Sequence, residues 1–286
     1  PRHTSTGNGI KQTAADKHNR VGLRFVEFLD AKLMAEILEA RFPRGISGRN
    51  VPELVASYAP ERDFLRQFLV QEHTALKDHG THYWIGEGAQ GVLLDVDDGL
   101  YPGITSSNPA QVPNRPDTIL GVVKLYTSSV GVGDRPFVGR MPPDLEEKLI
   151  EPWEERGATT GRVRDLGWFD LVAARYAIEV SNTDVLAVTC GDRLSKLHDL
   201  GQKVKVVVAY DIDGKRYDSW DVSFHTRSTL YHAQPIFEEF DPWPVFSKGE
   251  ALHPNAQKYL DYIKRELGKE IILVGTGQKP EDMLMY

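Results

Sequence analysis

A single cysteine, Cys190, occurs among the 286 residues of this chain. One thiol makes no internal disulfide and completes no multi-cysteine zinc site, which points to a reducing compartment, the cytoplasm. Long apolar runs are absent as well. No stretch approaches the ~18 residues of a membrane-spanning helix, and no charged, apolar and small-residue blocks mark a signal peptide. Positive charge is also scarce: 34 Lys and Arg stand against 41 Asp and Glu, a formal net charge of −7. Nucleic acid and anionic membranes select the opposite balance, so neither is an expected partner, while small anionic ligands stay open. His73, His79 and His82 lie close together but lack the His-Glu-x-x-His spacing and any cysteine neighbour, so no metal site is expected there.

What is present is an ordinary globular composition, 41% hydrophobic and 26% charged, with no internal repeat, low-complexity tract or linker. One domain over 1–286 is the simplest expectation. The chain opens on Pro1 and a dozen polar residues without apolar periodicity, which suggests that it begins inside a larger fold. Apolar residues from Leu23 to Leu38 recur at helical spacing up to a Pro/Gly segment at 43–48, and a second amphipathic helix is expected over 60–76. Tyr83-Trp84-Ile85 looks like a short strand. Further strands are expected at 119–126, 184–189 and 271–274, helices at 144–156, 169–180 and 255–267, and a hairpin at 204–210 and 216–224 around Asp213-Gly214. Residues 235–246, rich in proline and aromatics, read as a loop. Strands alternating with helices give an α/β fold, a mostly parallel central sheet with flanking helices and a subsidiary antiparallel hairpin, whose ligands sit along the carboxyl edge.

The loops carry the chemistry. In residues 157–164, Gly-Ala-Thr-Thr-Gly-Arg-Val-Arg, two glycines free the backbone, two threonines offer hydroxyls and two arginines offer planar forks for carboxylate or phosphate. Taken alone, the same loop also fits a solvated turn with surface arginines. Gly86-Glu87-Gly88-Ala89-Gln90-Gly91 has the spacing of a dinucleotide fingerprint, but an apolar run and an acidic turn follow where a helix should open. Asp95-x-Asp97 lacks the later ligands of a calcium loop. Thr4-Ser5-Thr6-Gly7-Asn8-Gly9, Thr105-Ser106-Ser107-Asn108 and Gly131-Val132-Gly133-Asp134 are further polar turns.

Six of these features in order resemble the adenylosuccinate synthetase family across nearly the whole chain: Thr6-Gly7-x-Gly9-Ile10 with Arg20, Glu87-Gly88-Ala89-Gln90-Gly91, Tyr101-Pro102 with Thr105 to Asn108, residues 157–164 with Gly167-Trp168-Phe169-Asp170, Thr189 to Asp192, and Gly275-Thr276-Gly277. The resemblance implies a ligase of purine biosynthesis in which GTP phosphorylates O6 of IMP and the amine of aspartate displaces the phosphate, with Mg2+ as cofactor. It assigns Thr6, Gln90, Thr105 and Arg162 to IMP, and Arg20 to the IMP of the neighbouring subunit in a homodimer. It assigns Ala158, Thr159, Thr160, Gly161, Arg162, Val163 and Arg164 to aspartate. Arg164, Cys190, Gly191, Asp192, Gly275, Thr276 and Gly277 fall to GTP, with Asp192 on the guanine edge; as a residue type, Asp192 also fits a helix N-cap.

Two departures from the family stand out. The family's Thr-Lys-Leu-Asp is Thr189-Cys190-Gly191-Asp192 in this chain, which leaves GTP against ATP open. The Gly-Asp-Glu-Gly-Lys-Gly loop with the general base and metal ligand, and the histidine general acid after it, do not occur in the sequence. No catalytic residue is therefore assigned, the leading strands of the fold are expected to be missing, and the chain is expected to be inactive alone as a piece of a longer ligase. The alternatives are a non-catalytic purine monophosphate-binding or dimerising protein, or a relative of viral enzymes acting on a guanine deoxynucleotide with an adenine nucleotide donor.

Overall fold

The computed structural model describes residues 7–71, 83–112, 116–130, 137–157, 161–246 and 251–286, apart from the side chain of Arg227. Thr6, His73, His79, His82, Gly131 to Asp134 and Ala158, Thr159 and Thr160 lie outside them. Two compact units form, one from Gly9 to Glu87 and one built on Gly88 to Tyr286.

The first unit is helical. Helix α1 (Ile10–His18) is polar and buries nothing, and the acidic Asp16 on it pairs with Arg41 at 2.6 Å. The apolar repeat from Leu23 to Leu38 does not make one helix. It makes two, α2 (Phe25–Leu29) and α3 (Ala31–Arg41), because the Asp30 carboxylate accepts from the N–H groups of Lys32 and Leu33 and starts a new helix there. Asn50 caps α4 (Val51–Ser57) in the same way, and α5 (Ala59–Arg66) ends ten residues before the expected 76. Met34, Val51 and Val55 form a small core, against which the buried Arg62 guanidinium donates to the Val55 carbonyl at 2.6 Å. Tyr83-Trp84-Ile85 is not a strand: it has no ladder partner among the described residues, and all three side chains are exposed.

The second unit is α/β. Strands β1 (Leu120–Lys124) and β2 (Thr127–Ser129) precede α6 (Pro143–Ile150), then come β3 (Asp165–Gly167), β4 (Phe169–Asp170), α7 (Leu171–Val180), β5 (Val185–Thr189) and the short helices α8 (Gly191–Leu194) and α9 (Lys196–Asp199). They are followed by β6 (Val204–Ile212), β7 (Lys215–Tyr217), α10 (Arg227–His232), β8 (Gln234–Phe240), α11 (Pro254–Leu267), β9 (Ile271–Gly275) and β10 (Met283–Met285). One sheet runs β1-β5-β9-β10, parallel except for the terminal β10, and β2 pairs with β3. The expected hairpin is part of a second sheet. In it β6 is buried nearly throughout and pairs with β4, β7 and β8, so 235–246 opens with a strand and not with a loop. Pro235 is tolerated because β8 pairs only with β6 and Pro235 sits near its start. The core gathers around Trp153, Trp243, Tyr210, Tyr259 and Phe224, with α11 contributing Ala256, Tyr259, Leu260, Ile263 and Leu267 from one face.

Asp170 joins the two periodicities of this unit. It ends β4, and its buried carboxylate caps α7 through the Ala173 N–H at 3.1 Å and accepts from the Tyr210 hydroxyl at 2.7 Å. Burial pushes its carboxyl up to about 6, against the pull of these hydrogen bonds. Replacing it by alanine removes a cap and strands the buried Tyr210 hydroxyl, which should cost about 2–4 kcal/mol. Asp170→Asn keeps one acceptor oxygen for the Ala173 N–H, and its amide N–H can donate to the Tyr210 hydroxyl oxygen in place of the second bond. Chemical denaturation of the two variants should therefore show a large loss for Asp170→Ala and a smaller one for Asp170→Asn.

Candidate functional site

The parallel strands β1, β5 and β9 bring their carboxyl ends to one edge of the sheet. From β1 come Lys124 and, just beyond it, Tyr126. From the turn after β5 come Cys190, Gly191, Asp192 and Arg193. After α6 the chain passes through Glu155 into the Gly/Thr/Arg loop. Glu155 is the centre of this edge: its side chain has no exposed surface, yet it is held ionised. One carboxylate oxygen accepts from Lys124 Nζ at 2.8 Å, from Arg193 Nη1 at 2.7 Å and from the Tyr126 hydroxyl. The other accepts from Arg164 Nη1 at 3.0 Å. Lys124 also donates to Ser128 at 2.8 Å, and Arg193 Nη1 to the Tyr126 oxygen at 2.8 Å. Burial works to raise the carboxyl, but these donors outweigh it and hold it down at about 2. Burial and the neighbouring carboxylate push the Tyr126 phenol far up, so it stays a donor.

The loop leaves Glu155 through a narrow antiparallel neck. Arg156 bridges to Val163, the Arg164 N–H donates to the Glu155 carbonyl at 2.9 Å, and the Gly157 N–H to the Arg162 carbonyl at 2.8 Å. Gly161 turns the chain with φ at 63°. Arg162 is exposed, and among the described residues its guanidinium has no partner, whereas Arg164 is anchored by Glu155 at one nitrogen. The two forks of this loop therefore differ: one is fixed and one is free to reach.

Beside it, the turn after β5 and the end of β9 are in contact. A Cβ on Gly191 would lie 3.2 Å from the Gly275 carbonyl, so the residues predicted for nucleotide binding are brought together. Cys190 takes the cap position of α8 in the left-handed region, φ 63°. Asp192 lies inside the first turn and does not cap it, and among the described residues its carboxylate has no partner. Thr276 and Gly277 serve the turn into β10. Both the N–H and the hydroxyl of Thr276 donate to the Asp282 carbonyl, and a Cβ on Gly277 would overlap the Asp282 carboxylate at 2.4 Å.

The segment with Gln90 and Thr105 is organised by a second buried acid. Asp95 accepts from the N–H groups of Asp97, Asp98 and Ala110 at 2.9, 3.2 and 2.9 Å, and although burial opposes it, these bonds hold the carboxyl below its ordinary range. No helix opens after Gly91; residues Val92–Leu94 form one 3-10 turn, so the dinucleotide fingerprint is not built. The Thr105 N–H donates to the Leu94 carbonyl at 2.7 Å, and Gln90 is exposed with φ at 66°.

This ladder of strand-end loops has relatives. A family model described as adenylosuccinate synthetase matches residues 2–284. The adenylosuccinate synthetase of Leifsonia xyli is 35% identical over 98% of this chain and 68% of its own length. That of Cyanothece is 34% identical over 96% of this chain and 64% of its own length. The solved, fully ligated adenylosuccinate synthetase of Plasmodium falciparum superposes with a TM-score of 0.83 at 23% identity, over 98% of this chain and 70% of that one, which shows the fold. The chain belongs to the adenylosuccinate synthetase family. It spans about two thirds of the length of these relatives. The family consists of ligases of GTP-dependent purine nucleotide biosynthesis.

In the helical unit, Arg20 stands in the turn that ends α1. After α1, the Arg20 N–H donates to the Lys17 carbonyl and the Val21 N–H to the Asp16 carbonyl, the two bonds of a Schellman turn, and Arg20 takes the left-handed place that glycine usually fills, φ 61°. A left-handed arginine costs about 1 kcal/mol relative to glycine. The family resemblance also did not single out Glu155, Lys124, Tyr126 or Arg193. A signal existed for the first two: Lys124 interrupts an apolar strand, and Glu154-Glu155 immediately precedes the basic loop.

Two outcomes follow from this geometry. Because the folded chain holds the Glu155 proton less tightly than an unfolded chain does, Glu155 stabilises fully above its ordinary value of 4.5 and the gain is lost as pH falls towards about 2. The contribution is about 3 kcal/mol. Acid unfolding monitored by circular dichroism should show a shallower slope over that window in Glu155→Gln than in the parent. Separately, Arg20→Gly should raise the stability of the helical unit by about 1 kcal/mol; a lower melting temperature would contradict the left-handed assignment.

Proposed function

We propose that this chain carries the IMP-, aspartate- and nucleotide-binding loops of an adenylosuccinate synthetase and acts as one synthetase-like domain in the cytoplasm. In this reading GTP phosphorylates O6 of IMP, and the aspartate amine then displaces the phosphate. Thr6, Gln90, Thr105 and Arg162 hold IMP, and Arg20 reaches the IMP of the second subunit of a homodimer. Residues 158–164 hold aspartate, whose two carboxylates suit the Arg162 and Arg164 forks and the backbone N–H groups of a glycine-containing loop. Arg164, Cys190, Gly191 and Asp192 take the nucleotide, with Gly275, Thr276 and Gly277 beside them. The Asp192 carboxylate, without a partner among the described residues, can accept both N–H donors of a guanine edge, which favours GTP. Thr276 contributes shape, since its donors are spent within its own turn.

The observation that carries this reading is the surplus of positive charge at the sheet edge. Lys124, Arg164 and Arg193 surround one carboxylate, and the exposed Arg162, without a partner among the described residues, stands in the adjoining loop. Such a site suits a dicarboxylate substrate and, later, a departing phosphate. Mg2+ is used by the family, but no cluster of three His, Cys, Asp or Glu suited to a metal occurs among the described residues. Asp95 directs its carboxylate oxygens at N–H donors of its own segment.

Calorimetric titration of aspartate into the chain in the presence of IMP tests the reading. Saturable binding is expected, and Arg162→Ala should weaken it by 10- to 100-fold, the loss of a charge-assisted hydrogen bond worth about 1.5–3 kcal/mol. Absence of aspartate binding to the unmodified chain at millimolar concentration would overturn it.

A further inference from the structure

One buried carboxylate needs one cation to be neutralised, and Glu155 has three. Among the described residues no second carboxylate pairs with Lys124, Arg164 or Arg193, so the cluster carries two positive charges in excess. Each cation comes from a different element: Lys124 from the end of β1, Arg193 from α8 and Arg164 from the far side of the loop neck. Long, partly exposed cations from three elements would ordinarily spread apart by mutual repulsion. The Glu155 carboxylate draws them to one point, and the Glu155 carbonyl takes the Arg164 N–H as well, which fixes that residue at both backbone and side chain. Among the described residues only Arg164 Nη1 is engaged, which leaves further N–H donors of the planar fork for a ligand.

We propose that Glu155 is the positioning residue of the carboxylate-binding loop: it fixes the Arg164 fork and gathers Lys124 and Arg193 into a net positive cradle that receives one carboxylate of the substrate. This rests on the reading of residues 158–164 as the aspartate loop and adds to it residues in three other places. Arg193 matters in particular, because its guanidinium ties the turn predicted for the nucleotide to the same carboxylate.

The test compares aspartate and IMP affinities of the full chain by calorimetry. Glu155→Gln keeps the size of the side chain but loses the charge that gathers the cations, and should weaken aspartate binding at least tenfold while IMP affinity changes less than twofold. Arg193→Gln, which leaves Glu155 paired with Lys124 and Arg164, should weaken aspartate three- to tenfold and keep the melting temperature within a few degrees. A merely structural role would lower both affinities in step with stability. Unchanged aspartate affinity in Arg193→Gln, or equal losses for both ligands in Glu155→Gln, would overturn the proposal. If the parent binds aspartate and Arg162→Ala loses it while Arg193→Gln and Glu155→Gln retain it, the loop assignment stands and only the role of Glu155 fails.

Discussion

A carboxylate without exposed surface must find its counter-charges where it stands, and Glu155 finds them on β1, on α8 and on the basic loop. That requirement fixes much of the sheet edge. Lys124 has to end its strand facing Glu155, the Arg156–Val163 bridge has to return the chain close enough for Arg164, and the turn after β5 has to present Arg193. The arrangement has a cost, since desolvating an ion is unfavourable even when it is paired. Arginine and lysine meet that cost with charge to spare, and the surplus is what a dicarboxylate or phosphate can use.

Order in the parallel sheet does the rest. Because β1, β5 and β9 run the same way side by side, loops far apart in sequence share one edge, as α/β sheets place ligands generally. The turn after β5 and the end of β9 meet so closely that a side chain at Gly191 would press on the Gly275 carbonyl. Arg20, Gln90 and Cys190 adopt left-handed backbone without being glycine, as Ser47, Glu154, Asn182 and Asp213 also do. At a bulky residue such a conformation carries a cost. The first three stand where the family resemblance places substrate.

The parallel sheet was legible because apolar runs at 119–126, 184–189 and 271–274 are long, rich in branched residues and bounded by turn residues. The helix expected at 255–267 forms over Pro254–Leu267. The failures have physical causes. Asp30 splits an apolar repeat by capping, which periodicity does not register. Strand β8 hides behind Pro235 because only its tertiary partner β6 makes it a strand. At the site, the arginines of the loop were visible from composition, whereas Glu155 had only its place beside Glu154 before the basic loop: it acquires its meaning when the fold buries it among cations.

The measurement that tests this account most directly is a crystal structure of the chain grown with IMP and aspartate. The account predicts an aspartate carboxylate within hydrogen-bond distance of the Arg164 guanidinium, with Glu155 still bound to Arg164, Lys124 and Arg193. Aspartate bound away from the carboxyl edge of the sheet, or Glu155 turned out to solvent with its cations dispersed, would contradict it.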